Sequence, residues 1–88
     1  MNIMEVKTKF SAGENIYIFM NRSIRKYEIK QIRIIQSHLY HTQTIIDYFI
    51  QDCENGNRYE YSDGFINKNA FYTETECKND IIRKINEL

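Results

Sequence analysis

His38 and His41, spaced as "HLYH", are the two histidines of the chain, and with Cys53 and Cys77 they are the residues that could in principle hold zinc. Structural zinc sites favour cysteine pairs about two to four residues apart, and neither cysteine has such a partner. Both histidines fall in a stretch read as a loop, so solvated imidazoles are the expectation, with no metal and no other cofactor. Cys77 lies in the first turn of an expected helix, where the dipole would favour a thiolate, but it also lies on that helix's apolar stripe. Core packing is therefore expected of it. Cys53 stands between Asp52 and Glu54, whose charges oppose ionisation of a thiol. Asp47 is the one acid inside an apolar strand run, and alternation can set it on the outer face, where an acid–base role has no support. There is no glycine-rich phosphate loop, no Ser-His-Asp order and no "HExxH". The expectation is a protein that is not an enzyme.

A second chemistry is written in the basic residues Arg22, Arg25, Lys26, Lys30 and Arg33, interleaved with Tyr17, Phe19 and Tyr27. Cations among aromatics are what single-stranded nucleic acid is held by, through phosphate contacts and base stacking. The plainer reading is a solvated strand face whose charges guard an edge against aggregation. Formal net charge is zero, and that total conceals an imbalance. Residues 1–42 carry seven basic and three acidic groups, whereas residues 43–88 carry five basic and nine acidic ones. The halves thus stand at +4 and −4. A neutral sum argues against tight non-specific nucleic-acid binding, while the imbalance permits one basic face.

These side chains have to be positioned by a small scaffold. Eighty-eight residues make one domain, 1–88, with a single modest core. Seven tyrosines and five phenylalanines supply much of its apolar material. Two cysteines are too few for a secreted disulfide framework, the start "MNIMEVKTKF" lacks a signal-peptide run, and no stretch is long and apolar enough to span a membrane. A cytoplasmic protein is the expectation.

"FSAGEN" carries turn signals at Gly13 and Asn15, and "IYIFM" after it has strand composition. In "IRKYEIKQIRIIQ", Tyr27 and Ile29 share one parity and Ile32 and Ile34 the other, which requires one extra residue. A β-bulge near Lys30 and Gln31 supplies it and bends the strand sharply. "SHLYHTQ" reads as a loop, and "TIIDYFIQD" as a further long strand. The Asn55-Gly56 turn makes a hairpin completed by "RYEYSDG", with Tyr59 and Tyr61 in phase and Gly64 breaking it. "FINKNAF" reads as a last short strand or one helical turn. Thr73 and Glu76 form a capping box, with Tyr72 and Cys77 in the positions of a hydrophobic staple, so a helix is expected over 74–87. Its stripe is Cys77, Ile81, Ile85 and Leu88, with Ile82 on the shoulder.

This order resembles small five-stranded barrels of the SH3-like type, the group that includes Tudor and KOW modules. The resemblance runs from about Phe10 onward. It rests on "FSAGENIYIFM", similar to the entry segment of such barrels, and on "NAFYTETEC", similar to the ending of small uncharacterised barrel proteins of bacteria and their phages or mobile elements. Ala70 stands where a larger aliphatic is usual, Cys77 stands where alanine is usual, and the proline-binding aromatics of signalling modules are missing. What the resemblance implies is a mainly β fold, a five-stranded SH3-like barrel with a strongly bent second strand and a C-terminal helix. The function expected is that of a non-enzymatic module binding a protein partner, such as a phage or mobile-element modulator of a host factor. The alternative is a nucleic-acid-binding barrel using the basic face of residues 22–33. Candidate contact residues are Arg22, Arg25, Lys26, Tyr27, Arg33, Tyr40 and His41. The chain is left as a monomer or a homodimer joined through an unpaired edge strand.

Overall fold

In a computed structural model of the chain, residues 6–37 and 43–87 are described. Strand β1 (Asn15–Met20) turns into strand β2 (Ser23–Ser37) through Asn21 and Arg22, both at positive φ of 53° and 67°. Two left-handed residues give the tight turn whose twist suits a hairpin. β1 pairs with β2 from Met20↔Ser23 to Asn15↔Glu28, and Gly13, at φ 92°, donates its amide to the Ile29 carbonyl at 2.7 Å. Beyond that point β1 has no residues left to offer. β2 continues for eight more.

Strand β3 (Gln43–Asp52) pairs along the whole length of the second half of β2, and the ladder slips between Ile29 and Gln31. This is the bulge that the parity switch predicts. One extra residue keeps Tyr27 and Ile29 on the inner face before the slip and Ile32 on it afterwards, opposite the buried Tyr48. Strand β4 (Arg58–Ser62) returns from β3 through a turn centred on Asn55-Gly56, with Gly56 at φ 75°. The Gly56 amide donates to the Asp52 carbonyl at 3.0 Å, and the Asp52 amide to the Asn57 carbonyl at 2.8 Å.

After β4 the chain forms helix α1 (Asp63–Asn69) and then strand β5 (Ala70–Phe71), so the segment holds both a helix and a short strand. Ser62 accepts the Phe65 amide at 3.3 Å, and that cap ends β4. Gly64 lies inside the helix and does not break the hairpin.

The sheet order is β4-β3-β2-β1-β5, entirely antiparallel among the pairs formed. The fold is mainly β with two helices, but the sheet does not close into a barrel: β4 and β5 are its two edges. β5 is only two residues long, and α1 lies against β3, β4 and β5. On the inner face Phe10, Ile16, Ile18, Tyr27, Ile29, Tyr48, Ile50, Ile66 and Ala70 form the core, each 2% exposed or less. Fully burying one such large side chain is worth roughly 1.5–3 kcal/mol. Tyr61 stacks on Phe65 at 4.3 Å, tying α1 to β4.

Helix α2 (Glu74–Asn86) begins where the capping signals place it and ends one residue short of the expected limit, with Glu87 as its C-cap. The Thr73 hydroxyl accepts the Glu76 amide at 3.1 Å. Tyr72 packs on Phe10, ring centroids 4.7 Å apart, and donates its hydroxyl to the Lys9 carbonyl, while Cys77 is buried apart from the core cluster. α2 lies against β1, β5 and β2 on the side carrying Phe19 and Phe71. The Cα radius of gyration, 15.1 Å, exceeds the ~12 Å of a compact domain of this length, because the far half of the β2–β3 ladder projects beyond its neighbours.

Candidate functional site

The basic run of residues 22–33 meets the acids of the second half of the chain through the β2–β3 ladder. Arg25 Nε donates to Asp52 Oδ2 at 2.6 Å, and Arg25 Nη2 lies 3.3 Å from Glu54 Oε2. Asp52 is 2% exposed and also accepts the amides of Glu54 at 2.8 Å and Asn55 at 3.2 Å. The Arg25 hydrogen bond holds its carboxyl below the usual carboxylate range, against the opposing effect of burial, and the two turn amides add to the lowering. One buried acid thereby fixes both the hairpin turn and the start of β2.

Further along, Arg33 Nη2 donates to Asp47 Oδ2 at 2.9 Å and to Glu60 Oε1 at 2.6 Å, and its guanidinium carbon lies 5.1 Å from the Phe49 ring centre. Its pKa is raised above the ordinary arginine value, chiefly by the Asp47 hydrogen bond. Lys30 pairs with Glu28 at 3.0 Å. Arg25 and Arg33 are thus the basic residues of the first half that pair across strands with acids of the second, while Lys30 pairs within its own strand. Arg22 and Lys26 are exposed and take part in no ion pair among the described residues.

The expected contact residues divide accordingly. Arg22 sits in the β1–β2 turn, Lys26 on the outer face opposite Tyr17, and Arg25 and Arg33 in the pairs above. Tyr27 is 2% exposed in the core and meets Tyr59 edge-on at 6.1 Å, so it offers no surface to a partner. Its parity with Ile29 already points that way. Tyr40 and His41 lie outside the described residues, as does His38 with the zinc expectation built on it. Among the described residues, no group of three or more His, Cys, Asp or Glu side chains is placed to hold a metal ion. Cys53 is exposed and Cys77 buried, and burial pushes the Cys77 thiol pKa up.

The apolar surface that reading the sequence missed lies between α2 and the β1–β5 edge. Phe19 and Phe71 from the strands face Cys77, Ile81 and Ile85 from the helix across an open groove of about 380 Å³. Phe19 is 47% exposed, Ile82 55% and Ile85 60%. The charges on the helix side are satisfied within it: Lys84 Nζ lies 2.8 Å from Asp80 Oδ2, and Arg83 2.6 Å from Asp80 Oδ1. The lower part of the stripe, Cys77 and Ile81, packs against the strands. Ile85, one turn on, is left 60% exposed. Phe19 carried the signal, since in "IYIFM" it has the opposite parity to Ile16 and Ile18 and must face away from the core. No helix among the described residues is long and apolar enough to cross a membrane. No protein-family model, no curated protein and no solved structure matches this chain.

Proposed function

We propose that this chain is a non-enzymatic interaction module of SH3-like architecture that binds a protein partner through the groove between α2 and the β1–β5 edge. The architectural part is supported by a four-strand meander, a bulged and bent β2, and a fifth strand that returns to β1 after a short helix. The binding part is carried by one observation: Phe19 and Ile85 stand half exposed on either side of a groove also lined by Phe71, Cys77 and Ile81. Contiguous apolar surface of this kind marks interaction sites on soluble proteins. The fitting occupant is a partner segment presenting two or three large apolar side chains, since the groove's own ions are already paired.

The nucleic-acid alternative draws less support, because Arg25, Lys30 and Arg33 each hold carboxylates that phosphates would have to displace. Affinity capture from the source cell, with wild type and the Phe19→Asp/Ile85→Asp double variant compared at low and high salt, tests the reading. Both positions are exposed, so the variant is expected to keep its circular dichroism and melting temperature. A protein retained by wild type at both salts and lost by the variant is the expected result. Equal retention by the variant, or capture of nucleic acid that falls steeply with salt, would reject it.

A further inference from the structure

The second apolar surface is the far end of the β2–β3 ladder, and it carries an argument separate from the groove. β1 reaches β2 only as far as Glu28, with one more pair of hydrogen bonds at Ile29. β4 reaches β3 only as far as Asp47. From residue 31 to residue 37, therefore, β2 has β3 on one side and, among the described residues, no paired strand on the other. Ile34, Ile35 and Ile45 on this arm are 44%, 46% and 41% exposed. "QIRIIQS" is β-branched, free of proline and glycine, and has a single charge already paired within its own chain. Such an edge is a template for another strand.

We propose that this edge pairs antiparallel with the same edge of a second copy of the chain, about a two-fold axis at Ile34. A two-fold normal to the sheet keeps each residue on its own face, so the axis must pass through a residue and not between two. An axis at Arg33 would set two guanidinium groups against each other, and an axis at Ile32 would shorten the overlap. Centred on Ile34, the register opposes Ile34 to itself, Arg33 to Ile35, Ile32 to Gln36 and Gln31 to Ser37. No like charges face each other in it. The zero net charge of the chain removes long-range repulsion between copies as well. The seam of seven residues is roughly 24 Å long and, at a sheet thickness near 10 Å, covers a few hundred Å² per chain, below the ~800 Å² per partner of permanent complexes. The dimer is accordingly weak and concentration-dependent.

Sedimentation velocity from about 1 µM to about 1 mM brackets the range in which so small an interface titrates. The expected result is a mass rising from that of one chain toward that of two. Ile34→Lys places two ammonium groups in contact at the axis and is expected to hold the chain monomeric with its circular dichroism unchanged. In a Cys53→Ser background, Ile34→Cys is expected to form a disulfide-linked dimer under mild oxidation, because opposed residues stand about 4.5–5.5 Å apart in such a ladder. Ile45→Cys, on the same arm but one strand further from the axis on each side, is at least about 14 Å from its copy and is expected not to cross-link. A chain that stays monomeric throughout overturns the proposal and leaves the edge to a strand from a different protein. A dimer that survives Ile34→Lys, or that cross-links through residue 45 as readily as through residue 34, overturns it too. The groove variants leave this assay unchanged, so the two readings fail separately.

Discussion

The two ends of the β2–β3 ladder are built from the same materials and meet opposite fates. At the near end Ile29 and Ile50 face each other and are 0% and 1% exposed. At the far end the pair on the same inner face is Ile34, 44% exposed, and Ile46, half-buried. Residue type, strand propensity and partner are alike, so none of these decides burial. What differs is the third layer: β1, β4, α1 and Phe10 surround the near end, whereas the neighbouring strands stop before the far end begins. In a thin sheet a side chain becomes core only when something covers it.

That contrast can be broken most forcefully at its buried end. Ile50→Ala should cost about 2–5 kcal/mol of stability in urea or thermal unfolding, as large-to-small changes in packed cores do. A value close to that of an exposed site would mean that the near end is not the core. Asp52→Ala comes next. It removes the acceptor of the Arg25 guanidinium and of two turn amides, and should cost about 2–3 kcal/mol. The same residue fixes a pH dependence. Its folded pKa lies below the unfolded value, so its contribution is full above the ordinary carboxylate range and is lost as pH falls through the depressed value. Thermal melts between about pH 5 and about pH 2 should show a steeper acid decline in wild type than in Asp52→Asn. Identical acid limbs would deny the ion pair its role.

At the open end the effects shrink. Ile35→Thr keeps a β-branched side chain on an exposed strand, and should leave the stability of the single chain within ~0.5 kcal/mol of wild type. A loss comparable to that of Ile50→Ala would show that the arm is covered after all. Smallest is Arg33→Ala, whose partners Asp47 and Glu60 lie at the surface, where screening leaves ion pairs little to contribute. Its melting temperature should shift slightly, and less so in high salt.

Much of the near end was legible in the residues. The parity switch located the bulge, Asn55-Gly56 located the hairpin, and Thr73 with Glu76 located the start of α2. Each is a local signal whose meaning does not depend on a distant partner. The far end was not legible, although its ingredients were: a strand of six residues cannot cover one of fifteen, but which residues are left over depends on register. The charge imbalance was visible as a sum, but that Arg25 and Arg33 would meet Asp52, Glu54, Asp47 and Glu60 depends on the β2–β3–β4 register. The closed barrel failed on β5, because two residues are too few to join the edges, and the Ser62 cap that starts α1 was hidden behind the turn signal of Gly64. Of the groove, the helix stripe was visible. Its incomplete covering by Phe19 and Phe71 was not.

Amide hydrogen exchange along β2 at low protein concentration tests the central claim most directly, because a single strand then reports both ends of the ladder. Burial at one end only predicts slow exchange at Tyr27 and Ile29, approaching global unfolding, and exchange orders of magnitude faster at Ile34 and Gln36. Protection that is uniform from Tyr27 to Gln36 in the dilute chain would contradict it.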